Sequence, residues 1–283
     1  MGPFTEVVVG ATDVVATTSF LGAFGFVAVD EVRVDAPESS ALFGLDGAIT
    51  AVRVASAARR DAATLLVVPT PHAGIGATGW TPGPRALDVY TADLDATIAA
   101  AADGGWAVSP IGRLAAGPMT MRQAMVSGPG ELQVVFVETT HRRSSVLDAD
   151  HAPAHSEPHS VVWVVGDHGA EVDWWTTGGW TAEGRWDDGF VAGATISFSE
   201  PSISDELGLD ERPTPITMTM ISDAAVEPVR LELMTFDDHR RSPAPDEPRH
   251  LASGVFALGV TGGGGDAARL VRSPGGVRVV LRP

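Results

Sequence analysis

Short apolar runs alternate with polar, turn-forming stretches along the whole chain, and one arrangement of them recurs. Val7, Val8 and Val9 read as a strand, followed by Ala11, Thr12 and Asp13. Asp13 is a natural helix N-cap, because its carboxylate can accept from the free N–H groups that begin a helix. Phe20 lies seven residues on and Gly25-Phe26 twelve on, where glycine ends the helix and a strand begins. The pattern returns with strand Leu87 to Tyr90, cap Asp93, Ala100 and Gly105-Trp106. It returns again with strand Val161 to Val165, cap Asp167, Trp174 and Gly179-Trp180. The caps stand 80 and 74 residues apart. Three copies with one internal spacing indicate a repeated folding unit.

Strand-like segments follow each copy. They are Val27–Val34, Ala48–Val54 and Thr64–Val68; then Met119–Val126 and Leu132–Val137; then Phe190–Phe198, Ile216–Ile221 and Val229–Met234. A fourth unit starts at Val255–Val260 and is degenerate: after Gly262 to Gly265 only a short helical piece, Asp266–Val271, precedes strand Val277–Leu281. Each unit thus reads βαβββ. Four units in two pairs predict an α+β protein of tandem βαβββ modules forming two cupped mixed-sheet domains, 1–139 and 158–283. The stretch 140–157 is polar and proline-bearing and reads as a linker, and Asp237–Arg249 as a loop.

These units resemble the vicinal oxygen chelate superfamily of glyoxalases, bleomycin-resistance proteins and extradiol dioxygenases. The segments GATDVVATTSFLGAFGF, YTADLDATIAAAADGGW, SGPGELQVVFVE and GDHGAEVDWWTTGGW carry the resemblance across nearly the whole chain. It implies that two units close into a deep cup holding a ligand and often a divalent metal. The resemblance places metal ligands near the start of each first strand and on each last strand. The corresponding residues are Glu6, Ala86, Ser160 and Val255, and Leu66, Val134, Glu232 and Val279. None is histidine, and only Glu232 matches the family glutamate. No family-type metal and no other cofactor is expected. The residues from which a rearranged divalent site could be built are Glu6, Asp88, His159 and Glu232. His159 would need a bulge to face inward, since side chains alternate along a strand.

Composition narrows the chemistry. All 19 basic residues are arginine, and cysteine is absent. Schiff-base, P-loop-lysine and thiolate chemistry are thereby excluded. A net charge of −17 opposes nucleic-acid binding. The apolar runs are too short for a membrane span, and MGPFTEVVVG does not read as a signal peptide, so a soluble cytoplasmic protein is expected.

Several other features read as structure. Gly74, Gly76 and Gly79 have dinucleotide-binding spacing, but Pro82 and Pro84 follow where a helix must start. His151, His155 and His159 are spaced by four, yet Pro153 and Pro158 break any helix, leaving linker histidines. Five of the seven tryptophans lie between Trp163 and Trp186 and read mostly as core. Trp163 sits on a first strand and is the preferred stacking contact for a planar ligand. Arg230 and Glu232 share one strand face, as do Asp88 and Tyr90, opening two readings: a structural ion pair or an anchor for a polar ligand. Ligand-binding residues are therefore expected at Trp163, Tyr90, Asp88, Arg230 and Glu232. The leading expectation is a metal-independent binder of a small organic, aromatic ligand, as monomer or homodimer. The alternative is a metal-dependent lyase, isomerase or dioxygenase with a rearranged site.

Overall fold

Three aspartates begin the helices as their spacing predicts. Asp13 accepts from the Ala16 N–H at 2.9 Å, Asp93 from Ala96 at 2.9 Å and Asp167 from Ala170 at 3.0 Å. Gly25 and Gly105 follow the first two helices with φ of 84° and 76°, a conformation that favours glycine. In this computed structural model the described residues are 3–74, 81–116, 119–140, 142, 145–178, 181–186, 189–192, 196–198, 201–206, 216–222, 229–236, 251–261 and 267–283.

The first module runs β1 (Phe4–Ala11), α1 (Val14–Ala23), β2 (Phe26–Val34), α2 (Ala36–Phe43), β3 (Ile49–Ser56) and β4 (Thr64–Pro69). The second is β5 (Gly83–Thr91), α3 (Leu94–Asp103), β6 (Ala107–Val108), β7 (Gly112–Ala116), β8 (Met119–Ser127) and β9 (Gln133–Thr139). The third is β10 (His155–Val164), α4 (His168–Thr177), β11 (Thr181–Trp186), β12 (Gly189–Ala192), β13 (Ile196–Phe198), α5 (Pro201–Glu206), β14 (Ile216–Ser222) and β15 (Arg230–Phe236). The fourth retains β16 (Gly254–Thr261), β17 (Arg269–Arg272) and β18 (Arg278–Arg282).

The α+β class and the two cupped mixed sheets are as the periodicity indicates; the pairing of the modules is not. β1 pairs antiparallel with β16, giving a first sheet in the order β17-β18-β16-β1-β4-β3-β2. β5 pairs antiparallel with β10, giving a second sheet along β12-β11-β14-β15-β10-β5-β9-β8-β6. The outer modules thus share one sheet and the inner modules the other, so segments 1–139 and 158–283 each contribute one module to both sheets. Three local expectations are also corrected. The piece expected as a helix, Asp266–Val271, instead runs into strand β17 from Arg269, because Leu270 and Val271 complete a ladder with β18. Helix α2 interrupts a stretch read as strands and turns, capped by Asp35 and closed by Gly44 at φ 64°. The stretch read as a linker ends in strand: Glu157 is buried in β10 and its carboxylate takes Arg59 at 2.8 Å. The glycine motif at 75–79, Gly262–Gly265 and the loop Asp237–Arg249 lie outside the described residues.

One apolar core joins the two sheets and helices α1, α3 and α4. Val7 and Val9, Leu87 and Val89, Val161 and Trp163, and Leu231 and Leu233 point into it, meeting Phe20 of α1 and Phe24 just beyond it, Leu94 of α3 and Trp175 of α4. Alternation then aims the intervening residues at the opposite faces, the two cups. In the first cup Val8, Leu66, Ala257 and Val280 pack with Leu42 and Phe43 of α2 and with Phe256. In the second, Ala86, Tyr90, Val162, Val164 and Met234 pack with Ile203 of α5.

Candidate functional site

Both cups bury charge: in the first, Arg278 lies over the Phe256 ring at 4.7 Å and Glu6 takes Arg282, whereas the second gathers several ionisable groups on one face. The ladder sets them side by side: Ser160 of β10 stands opposite Asp88 of β5 and Arg230 of β15, and Val162 opposite Glu232. Even-numbered positions of all three strands share the cup face, so Asp88, Tyr90, Ser160, Arg230 and Glu232 converge there. The Ser160 hydroxyl donates to Asp88 Oδ2 at 2.6 Å. His159 reaches the same group because the β10–β5 register is irregular between Pro158 and Ser160. Its ring stacks on Tyr90 with centroids 3.8 Å apart and planes 6° from parallel. Arg230 Nη2 lies 3.3 Å from His159 Nδ1 and 3.5 Å from the Tyr90 hydroxyl oxygen. A guanidinium only donates, so Nδ1 carries the lone pair in this contact.

Helix α5 supplies a third carboxyl, Glu206. Ser202 pins α5 to β7, its hydroxyl donating to the Arg113 carbonyl at 2.9 Å and accepting from the Arg113 N–H at 3.0 Å. Gly112 permits this close approach: a Cβ there would collide with Glu206 and Ile203. Gln123 of β8 donates to Glu206 Oε2 at 2.8 Å. Among the described residues no partner meets Glu206 Oε1 or Asp88 Oδ1, although both atoms are buried.

Burial sets the protonation of this group. Removal from water pushes Asp88 well above the usual carboxylate range, and the neighbouring Glu232 charge pushes it further. Burial raises Glu232 to about 7, with Arg230 and a hydrogen bond from Asp88 acting in the opposite sense. The two carboxyls titrate as a coupled pair, and burial favours their protonated forms. Glu206 is raised to about 8, again by burial; its bond from Gln123 lowers it and the Glu232 charge raises it.

Of the residues expected to bind ligand, Asp88, Tyr90, Arg230 and Glu232 come together here. Trp163 does not. It is 1% exposed in the core between the sheets, since odd positions of β10 face away from the cup. Glu6 lies in the first sheet, accepting from Arg282 Nη2 at 2.9 Å. His151 is exposed, whereas His155 is bound by Thr97 at 3.0 Å and its burial lowers its pKa to about 4. The three histidines thus form no cluster. Trp174 and Trp175 meet edge to face at 5.0 Å in α4. Trp180 and the Trp186 side chain lie outside the described residues. Glu206 and Gln123 escaped the sequence reading. Both act on this face only through the docking of α5, which no local spacing announces.

The side chains present do not suit the family's metal. In the second sheet the expected ligand positions hold Ala86, Val134, Ser160 and Glu232, and in the first Glu6, Leu66, Val255 and Val279. Among the described residues, no three His, Asp or Glu side chains converge as a metal-ligand set. Arg230 already places a positive charge beside Glu232, where a divalent cation would be repelled.

No protein-family model and no curated protein sequence matches the chain. Solved structures do. Glyoxalase I from Zea mays superposes with a TM-score of 0.62 at 12% identity, covering 100% of this chain and 92% of its own. A provisionally named dioxygenase from Bacillus subtilis superposes with a TM-score of 0.58 at 9% identity, covering 99% and 85%. The chain therefore shares the fold of these solved structures over essentially its whole length.

Proposed function

We propose that the protein binds a small organic molecule in the second cup without the superfamily's usual metal, acting in the cytoplasm as a monomer or homodimer. One observation carries this reading: buried Asp88, Glu232, Glu206, Arg230 and Tyr90, with the half-buried His159 stacked on Tyr90, sit inside an apolar surround. Buried ionisable groups weaken a fold unless they are fully paired, so their concentration on one cup face favours a binding role over a structural one. Asp88, Tyr90, Arg230 and Glu232 would fix the polar part of the ligand. Val162, Val164 and Met234 would surround its apolar part. The cytoplasmic placement is supported by the absence of cysteine and of any helix, among the described residues, long and apolar enough to cross a membrane.

A second reading, proton-transfer catalysis, is favoured by one specific feature. Burial pushes both Asp88 and Glu232 up, and Glu232 stands at about 7, where a general acid or base works at neutral pH. A compound screen by thermal shift, run in chelator and again with added divalent ions, tests the first reading. We expect stabilisation by compounds in chelator and no further gain from metals. A stoichiometric divalent ion in the purified protein, lost on Glu232→Ala, would overturn it.

A further inference from the structure

Two carboxyl oxygens in the second cup have acceptor capacity that the described residues leave unused. Asp88 Oδ1 and Glu206 Oε1 come from opposite sides of the cup, one from the central strand β5 and one from the covering helix α5. Their residues are 3% and 2% exposed, so water does not readily serve them. Their sister oxygens are occupied, by the Ser160 hydroxyl and the Gln123 amide, which fixes how both carboxyls are turned. A buried acceptor without a donor costs on the order of 1–3 kcal/mol, more when charged, so the pair is poised for a donor from outside the chain. Arg230 does not answer both: it is turned to His159 and Tyr90.

We propose, resting on the binding reading above, that the second cup recognises a basic nitrogen, an amine or amidine on an apolar body, between Asp88 and Glu206. Such a group brings several N–H donors to the two unused oxygens, and its positive charge favours the ionised form of Asp88 and Glu206, which burial otherwise disfavours. The apolar body meets Ile203, Val162 and Met234, which line the same face. The field of the whole molecule acts in the same direction, since a net charge of −17 concentrates organic cations near it and repels anions.

The test uses three probes of one size: benzylamine, benzyl alcohol and benzoate, titrated calorimetrically into the full chain and into Glu206→Gln and Asp88→Asn. Benzylamine should bind the wild type most tightly and benzoate least. Each substitution should weaken benzylamine by roughly tenfold, the loss of a charge-assisted hydrogen bond, and leave benzyl alcohol nearly unchanged. Circular dichroism melts confirm that each variant is folded, and the two variants alter different elements, so one misfolded protein leaves the other to decide. Benzoate or the alcohol binding as tightly as the amine, or equal amine affinity in wild type and variants, would overturn the amine assignment while leaving the binding reading intact. Failure of all three probes alongside hits in the metal-free compound screen overturns the assignment alone. Failure of both experiments overturns the binding reading with it.

Discussion

The two cups of this molecule come from the same repeated module and have been put to opposite uses. In the first, Val8, Leu66, Ala257 and Val280 turn toward α2, whose Leu42 and Phe43 close over them, and Phe256 packs with Phe43 at 6.3 Å. Its main charged group on β1, Glu6, is held at the rim by Arg282. In the second, the matching faces carry Asp88, Ser160, Arg230 and Glu232, and the covering helix α5 adds another carboxyl rather than an apolar plug. One cup is filled largely by apolar side chains, with Arg278 laid over Phe256. The other gives up packing for polar groups that burial disfavours, and the proposed binding site rests on this asymmetry.

The largest effect should come from unplugging the first cup. Phe43 is 1% exposed, and Phe43→Ala removes a buried ring where the helix and sheet cannot close the gap. A loss of about 3–5 kcal/mol is expected, read as a lower urea midpoint. Ligand binding in the second cup should survive wherever the variant remains folded. A stability change below about 1 kcal/mol would mean that the first cup is not packed as described.

A smaller effect of opposite sign is expected in the second cup. Glu206 stands near 8 in the folded chain, against an ordinary value near 4.5. The folded state therefore holds a proton that the unfolded chain releases. Stability from this group is complete below about 4.5, declines as pH rises, and is lost above about 8. Glu206→Gln keeps the shape and the contact with Gln123 while removing the titration. The variant should be more stable than the wild type at pH 9, by on the order of a few kcal/mol, with the gap narrowing toward pH 4. Thermal melts across that range measure it. Parallel curves for the two proteins would show that Glu206 is not held neutral by burial.

How far these differences could be read from the chain depends on the kind of interaction. The caps at Asp13, Asp93 and Asp167 and the strands after them were legible because a cap and its helix lie within four residues of each other. The faces of Asp88, Tyr90, Arg230 and Glu232 were legible too, since alternation along a strand is local. Module pairing was not. β1, β5 and β10 are buried on both faces along most of their length, so their apolar runs fit any partner edge equally well. Glu206 was hidden for a related reason. It enters the site from a six-residue helix whose position depends on Gly112, Ser202 and the backbone of Arg113, contacts that span 89 residues of chain. His159 turned inward only because the ladder slips next to Pro158, and a slip leaves no mark in the pattern of polar and apolar residues.

Trp163 sharpens the comparison at its finest grain, because a single position decides which side of the second sheet the residue serves. Its neighbours Val162 and Val164 line the cup, while Trp163 packs with Val161 and Leu233 in the core shared with the first sheet. Trp163→Phe should therefore cost about 1–2 kcal/mol of stability, through lost ring volume. It should leave the affinity of any second-cup ligand within roughly twofold of the wild type, a change of about 0.4 kcal/mol. Tyr90→Phe serves as the control inside the cup: it keeps the ring under His159 but removes the hydroxyl beside Arg230. Calorimetric titration of a second-cup ligand with both variants separates the two faces. Were Trp163→Phe to weaken binding more than Tyr90→Phe does, the ligand would lie against the core side of β10, and the division of labour between the two faces of that strand would have to be reversed.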